Sequence, residues 1–253
     1  MAQFYGFHGL GCSKKYFDCL ASSLIVSGHQ FAARDFKGFG ERANEAPSDN
    51  PFEDAVEEAL GYTRGSGKIS IIAHSMGAVI ALKLAEQIPD RIHQMVIIEG
   101  NLTPHDGGAV SKRINIAAGQ EGGVEPTETV AAIKADLLES LPNSEHAGLR
   151  YWAEDLQNVD PKTLEIYGTK LVEVSRSGEM MKIFQGLQCQ RLYIHGDGYV
   201  GHKTLDEMGS IPTMHIEGAS HFPLIEQPNM CALEILTNGQ YAVSGPMPPD
   251  STP

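Results

Sequence analysis

One serine sits where its hydroxyl could do chemistry. Residues 69–81 read "ISIIAHSMGAVIA", with Ser75 between His74 and Met76. A β-branched run stops there and a small-residue helical run starts at once. A serine hydroxyl is a weak nucleophile until a base removes its proton. A sharp strand-to-helix turn would lift its Oγ clear of a sheet. Such a turn needs small neighbours, and Ala73 and Gly77 flank the serine two residues to either side. The helix that follows points its first amides at the same place, which suits a developing oxyanion. The plain structural alternative is an ordinary N-cap serine.

Two further stretches bring matching chemistry. "FHGLG" at 7–11 ends a first apolar run with a His-Gly step. That step turns the backbone so that the Leu10 N–H, with the Met76 N–H, can form a two-donor oxyanion hole. The alternative is a glycine turn between strand and helix, and His8 reads as structural. "IEGASHFPLIEQP" at 216–228 places His221 on a small-residue loop between a strand and a proline-started helix. A base for Ser75 belongs late in the chain on such a loop. Taken alone, any of the ten histidines could be a surface residue.

These residues need elements to bring them together. Short apolar runs at 4–8, 31–35, 69–73, 95–98, 192–194 and 214–216 read as six strands. Helical patterns fill 14–27, the stretch opened by Asn50-Pro51, 76–87 and the stretch from Pro228 to about residue 236. Apolar strands alternating with helices predict a parallel sheet covered on both faces. The rhythm breaks between Asn101 and Gln190, where helical patterns at 127–140, 145–157 and 161–175 predict an all-helical insertion. The expected organisation is a core of 1–101 and 189–238, an insertion over 102–188 lying on one end of the sheet, and a disordered tail over 239–253. Leu137, Leu141, Tyr151, Trp152 and Phe184 are the insertion's candidates for an apolar substrate pocket.

Composition narrows the partners. The chain has 253 residues and a formal net charge of −13. That charge disfavours nucleic acid and anionic membranes. No apolar run reaches eighteen residues, so no membrane span is expected. The N-terminal segment lacks the basic and apolar regions of a signal peptide. Cys12, Cys19, Cys189 and Cys231 show no C-x-x-C pair or metal spacing, which reads as reduced thiols in a cytoplasmic protein. The expected partner is a small molecule, with no metal or organic cofactor; nothing in the sequence sets an oligomeric state.

The sequence resembles the α/β-hydrolase fold superfamily. The His8-Gly9 turn, the "DFKGFGER" loop, the elbow "AHSMG", the late "GASHF" and the following "EQP" fall in that family's order. The resemblance covers about residues 1–236. It implies a doubly wound, mainly parallel sheet of about six strands, without the family's usual first two strands, carrying a helical cap. It also implies a Ser-His-acid triad whose acid orients the imidazole and stabilises its cation. Most members carry the acid three residues past a glycine after the penultimate strand. Here Tyr199 stands at that place and Asp197 directly follows Gly196. Some branches, haloalkane dehalogenases among them, use a glutamate one strand earlier, where "VIIEGNL" places Glu99. A glutamate without a task at a buried strand end is costly, which favours Glu99 over Asp197. Glu217 is a poorer third choice. A serine rather than an aspartate at the nucleophile position argues against dehalogenase and epoxide-hydrolase chemistry. The expected activity is hydrolysis of an ester, thioester or lactone with an apolar acyl part. The alternatives are cofactor-free carbon–carbon cleavage or lyase chemistry on the same fold, and a non-catalytic receptor.

Overall fold

A computed structural model describes residues 1–106 and 108–240; the expectation of an unstructured tail falls, from residue 241 onward, outside them. Six strands form one sheet: β1 (Gln3–Phe7), β2 (Gln30–Ala33), β3 (Ile69–His74), β4 (Ile92–Ile98), β5 (Gln190–His195) and β6 (Thr213–His215). Their order is β2-β1-β3-β4-β5-β6, and every pairing is parallel. This is the sheet that the alternating pattern predicts.

The helices are α1 (Asp18–Val26), α2 (Pro51–Thr63), α3 (Gly77–Gln87), α4 (Ala109–Ala117), α5 (Val130–Ser140), α6 (Ala147–Leu156), α7 (Pro161–Ser177), α8 (Glu179–Gly186), α9 (Lys203–Asp206), α10 (Pro223–Glu226) and α11 (Pro228–Asn238). Side chains alternate across a strand, so each central strand feeds two cores. Tyr5, Phe7, Ile71, Ala73, Met95, Ile97 and Tyr193 join the core under α2, α3 and α8. Phe4, Ile72, Val96, Ile98, Leu192 and Ile194 join the core under α1 and α11. The chain between β4 and β5 holds α4 to α8. Of these, α4 and α8 are helices that the periodicity does not predict.

The sheet order reverses at β1, because the chain leaves β1 for β2 on one side and returns from β2 to β3 on the other. In open α/β sheets such a switch point, at the carboxyl ends of the strands, is where ligands bind. Leu10, Ser75, Glu99, Gly196 and His221 all follow the carboxyl ends of strands or lie on the loop after β6.

Candidate active site

Ser75 follows the last residue of β3 with φ at 52°, a left-handed conformation that a residue bearing a Cβ rarely adopts. Its N–H donates to the Ile98 carbonyl of β4 at 3.0 Å. Helix α3 shows no side-chain cap, so the plain N-cap role does not describe this serine. Holding a non-glycine residue in this region costs about 1–2 kcal/mol. The small residue two places after the serine is required by its surroundings. A Cβ on Gly77 would lie 2.2 Å from the Phe7 carbonyl oxygen, so the glycine lets α3 sit against the end of β1.

The same device recurs one strand over. Glu99 follows β4 with φ at 43°, and its N–H donates to the Ile194 carbonyl at 3.0 Å. Two neighbouring strands thus end in one left-handed residue each, and each side chain is thrown to the same edge. Glu99 is buried. Its Oε2 lies 2.5 Å from Nδ1 of His221, and its Oε1 accepts the Gly196 N–H at 2.8 Å. With Nδ1–H donated to Glu99, Nε2 of His221 is left free to take a proton.

Asp197 is elsewhere. Its carboxylate bonds His215 Nε2 at 2.7 Å and the Gly218 N–H, and it is half exposed. The His215 bond holds its carboxyl below the usual carboxylate range. The Glu217 carbonyl oxygen accepts a bond from the side-chain amide of Gln227. Of the three carboxylates that the sequence offers, Glu99 is the one bonded to His221.

Ser75, His221 and Glu99 line one cavity of about 270 Å3, together with Leu10, His74, Trp152 and Phe222. The His-Gly turn abuts the serine: a Cβ on Gly9 would lie 3.0 Å from Ser75 Cβ. That places Leu10 beside Ser75, and Met76 opens the turn into α3. His8 is a framework residue. Its Nε2 accepts the Phe36 N–H at 3.1 Å and its Nδ1–H donates to the Gly9 carbonyl at 3.0 Å. Burial pushes its pKa down to about 4, so the ring is neutral. His74 is also buried and neutral. Its Nε2 bonds the His221 carbonyl at 2.9 Å, which ties the histidine loop to the strand carrying Ser75. Burial, then the neighbouring His221, drives its pKa well below normal.

The remaining wall differs from the expected one. Trp152 lines the cavity, but Leu137 and Phe184 are buried in the core beneath it, Leu141 packs at that core's edge, and Tyr151 packs on Tyr16. Leu149, Val110 and Leu171 supply apolar wall instead. Asp106 was not foreseen. It accepts bonds from the N–H groups of Leu102 and Thr103 and from the hydroxyls of Thr103, Thr204 and Tyr199. It thereby fastens the loop after β4 to the loop after β5. Tyr199, at the family's usual acid position, serves that strap, and burial pushes its hydroxyl pKa well up. No sequence signal pairs Asp106 with Thr204, because nothing local links residues so far apart. Among the described residues, no group of three or more His, Cys, Asp or Glu is placed to hold a metal ion.

Fold and site together define an α/β-hydrolase. The alpha/beta hydrolase fold family matches residues 5–228, and the chain belongs to that family, a class of enzymes. A curated relative, named a putative carbamate hydrolase RutD from Klebsiella pneumoniae (strain 342), is 29% identical over 137 residues. That match takes in 49% of this chain and 51% of the relative, so the chain spans about half the length of the curated relatives it matches. Among solved structures, AqDC, described in ring-cleavage of the Pseudomonas quinolone signal, is 18% identical with a TM-score of 0.75, covering 95% of this chain and 92% of that one. A structure from a study of carboxylesterases of the thaumarchaeon Nitrososphaera gargenis is 17% identical with a TM-score of 0.68, covering 93% and 88%. At such identities these two likenesses speak for the fold.

Proposed function

We propose that this protein is a serine hydrolase that cleaves a carboxylic ester, thioester or lactone. The observation that carries the reading is the Glu99–His221 pair at 2.5 Å on the wall of a cavity that Ser75 also lines. Ser75 Oγ attacks the carbonyl carbon while His221 Nε2 takes its proton. Glu99 holds the imidazole in the Nδ1–H tautomer and offsets the positive charge that forms on the ring. The Leu10 and Met76 amides receive the oxyanion. His221 then gives its proton to the leaving group, and water, deprotonated by His221, clears the acyl-enzyme. The apolar wall supports an uncharged acyl part, and the 270 Å3 volume supports a small one. The reading is tested with a fluorophosphonate probe on the wild type and on Ser75→Ala. Labelling of the wild type alone is expected, and absence of Ser75-dependent labelling refutes it.

A second reading uses the same residues for cofactor-free cleavage of a carbon–carbon bond. Its support is the aromatic wall of Trp152 and Phe222, whose ring centroids are 6.1 Å apart beside His221, and the fold likeness to the ring-cleaving AqDC. His221 would act as base on the water that adds to a bound ketone, the released carbanion would take that proton back as the carbon–carbon bond breaks, and Ser75 would not be acylated. An acyl-enzyme trapped on Ser75 decides against it.

A further inference from the structure

Helix α6 reaches both loops that carry the reactive groups. From its middle, the Trp152 indole N–H donates to the Leu10 carbonyl at 3.0 Å. The turn lies so close under the ring that a Cβ on Gly11, whose φ is 73°, would sit 2.6 Å from the indole nitrogen. One turn earlier on the same face, a Cβ on Gly148 would sit 2.3 Å from Cβ of Phe222, the residue after His221. The Gly148 N–H donates to Glu226 Oε1 at 3.0 Å. The same carboxylate accepts the Ser220 N–H at 2.6 Å and the Ser220 hydroxyl at 2.8 Å. Ser220 directly precedes His221.

We propose that α6 sets the register of the two loops, with Trp152 and Glu226 as positioning residues. Trp152 holds the carbonyl of Leu10, the residue whose N–H the hydrolase reading assigns to the oxyanion hole. Glu226 ties the residue before His221 to the first turn of the same rigid helix. The two loops come from opposite ends of the chain and share no strand pairing near the cavity, so a common strut fixes their spacing. A displacement of about 1 Å at a reacting group costs on the order of a hundredfold in rate. A neutral hydrogen bond contributes about 1 kcal/mol, so losing one costs roughly fivefold. The effect on turnover rests on the hydrolase reading; the effect on the backbone does not.

The test uses Trp152→Phe, Glu226→Gln and, as control, Tyr151→Phe, which keeps the ring that packs on Tyr16. Kinetics on p-nitrophenyl butyrate are paired with amide hydrogen exchange over residues 9–12 and 219–222. For Trp152→Phe we expect kcat to fall about fivefold or more with KM within about twofold, since the phenyl ring still fills the wall. Exchange over 9–12 should quicken. For Glu226→Gln, kcat should fall similarly, exchange over 219–222 should quicken, and the emission of Trp152, the single tryptophan of the chain, should shift. Tyr151→Phe should match the wild type in all three. A rise in KM with unchanged kcat and unchanged exchange makes Trp152 a wall residue and overturns the proposal. Unchanged exchange in both variants overturns it as well. Quickened exchange in a protein that never turns over the ester sustains the positioning role and removes the hydrolase reading. If Trp152→Phe does not fold, Glu226→Gln carries both readouts.

Discussion

Replacing Glu99 by glutamine is the sharpest perturbation of this site. The change is nearly isosteric, and the amide oxygen can keep the Gly196 N–H that Glu99 Oε1 now accepts at 2.8 Å. What it removes is a buried negative charge next to the ring that becomes cationic in the proposed hydrolysis. Unit charges about 4 Å apart interact by about 4 kcal/mol at an effective dielectric of about 20. The His221 side chain is 37% exposed, so water screens part of this and about 3–4 kcal/mol is a fair expectation. That corresponds to roughly 100- to 1000-fold in rate. The amide can also donate to Nδ1 and enforce the wrong tautomer, which pushes the loss upward. Initial rates on p-nitrophenyl butyrate, with circular dichroism to establish folding, measure it. Asp197→Asn is the companion: that carboxylate serves His215 and Gly218, and its loss should leave the rate within about twofold. A folded Glu99→Gln retaining more than a third of the wild-type rate, or an Asp197→Asn falling as far, refutes the assignment of the acid.

Other expectations follow from named contacts. Gly77→Ala forces a Cβ onto the Phe7 carbonyl and should cost about 3 kcal/mol or more, read as lost midpoint in urea unfolding. Gly61→Ala lies inside α2 with no atom within 4 Å of the added Cβ, and should instead stabilise by about 0.5–1 kcal/mol, a rise of a few degrees in Tm. Acid should weaken the fold. His8 is buried neutral with a pKa of about 4 against 6.5 unfolded, so the unfolded chain binds the extra proton between those values and stability rises with pH there. That one ring accounts for about 3 kcal/mol lost on going from pH 6.5 to 4, and His74 acts in the same direction. Calorimetry in buffers of different ionisation enthalpy should find proton uptake on unfolding in this window; proton release would contradict the burial argument.

The sheet was legible because its signal is local. Runs such as Ile69–His74 and Ile92–Ile98 are buried on both faces and carry their apolar character in consecutive residues. Ser75 was legible for a similar reason, since the turn demands small residues within two positions of it. Glu99 was weighed against Asp197 because both end strands that reach one edge, and only three-dimensional register separates them. Asp106 and Glu226 carry no such signal, and Trp152 is legible only as an apolar wall residue, without its bond to Leu10. Each owes its role to partners in other elements: Thr204, Ser220 and Leu10. Helix α4 is hard to read because the face that "AVSKRINIA" buries is itself partly polar: its buried residues include Ser111 and Asn115. The expected pocket residues Leu137 and Phe184 carry the right apolar character for a wall, but they face inward, and periodicity cannot tell a helix's core side from a cavity lying over it.

The paired backward kinks at Ser75 and Glu99 have an evolutionary corollary. Glycine would sit at position 75 without the backbone penalty, so the polypeptide would become tougher by up to about 1–2 kcal/mol there if it abandoned the serine side chain; at position 99 the same relief is offset by loss of the Gly196 and His221 bonds. Thermal melting of Ser75→Gly reads this directly and should show a higher midpoint in an inert molecule. Selection for durability alone would therefore favour glycine at position 75, and a serine held there at that cost points to a use for its hydroxyl.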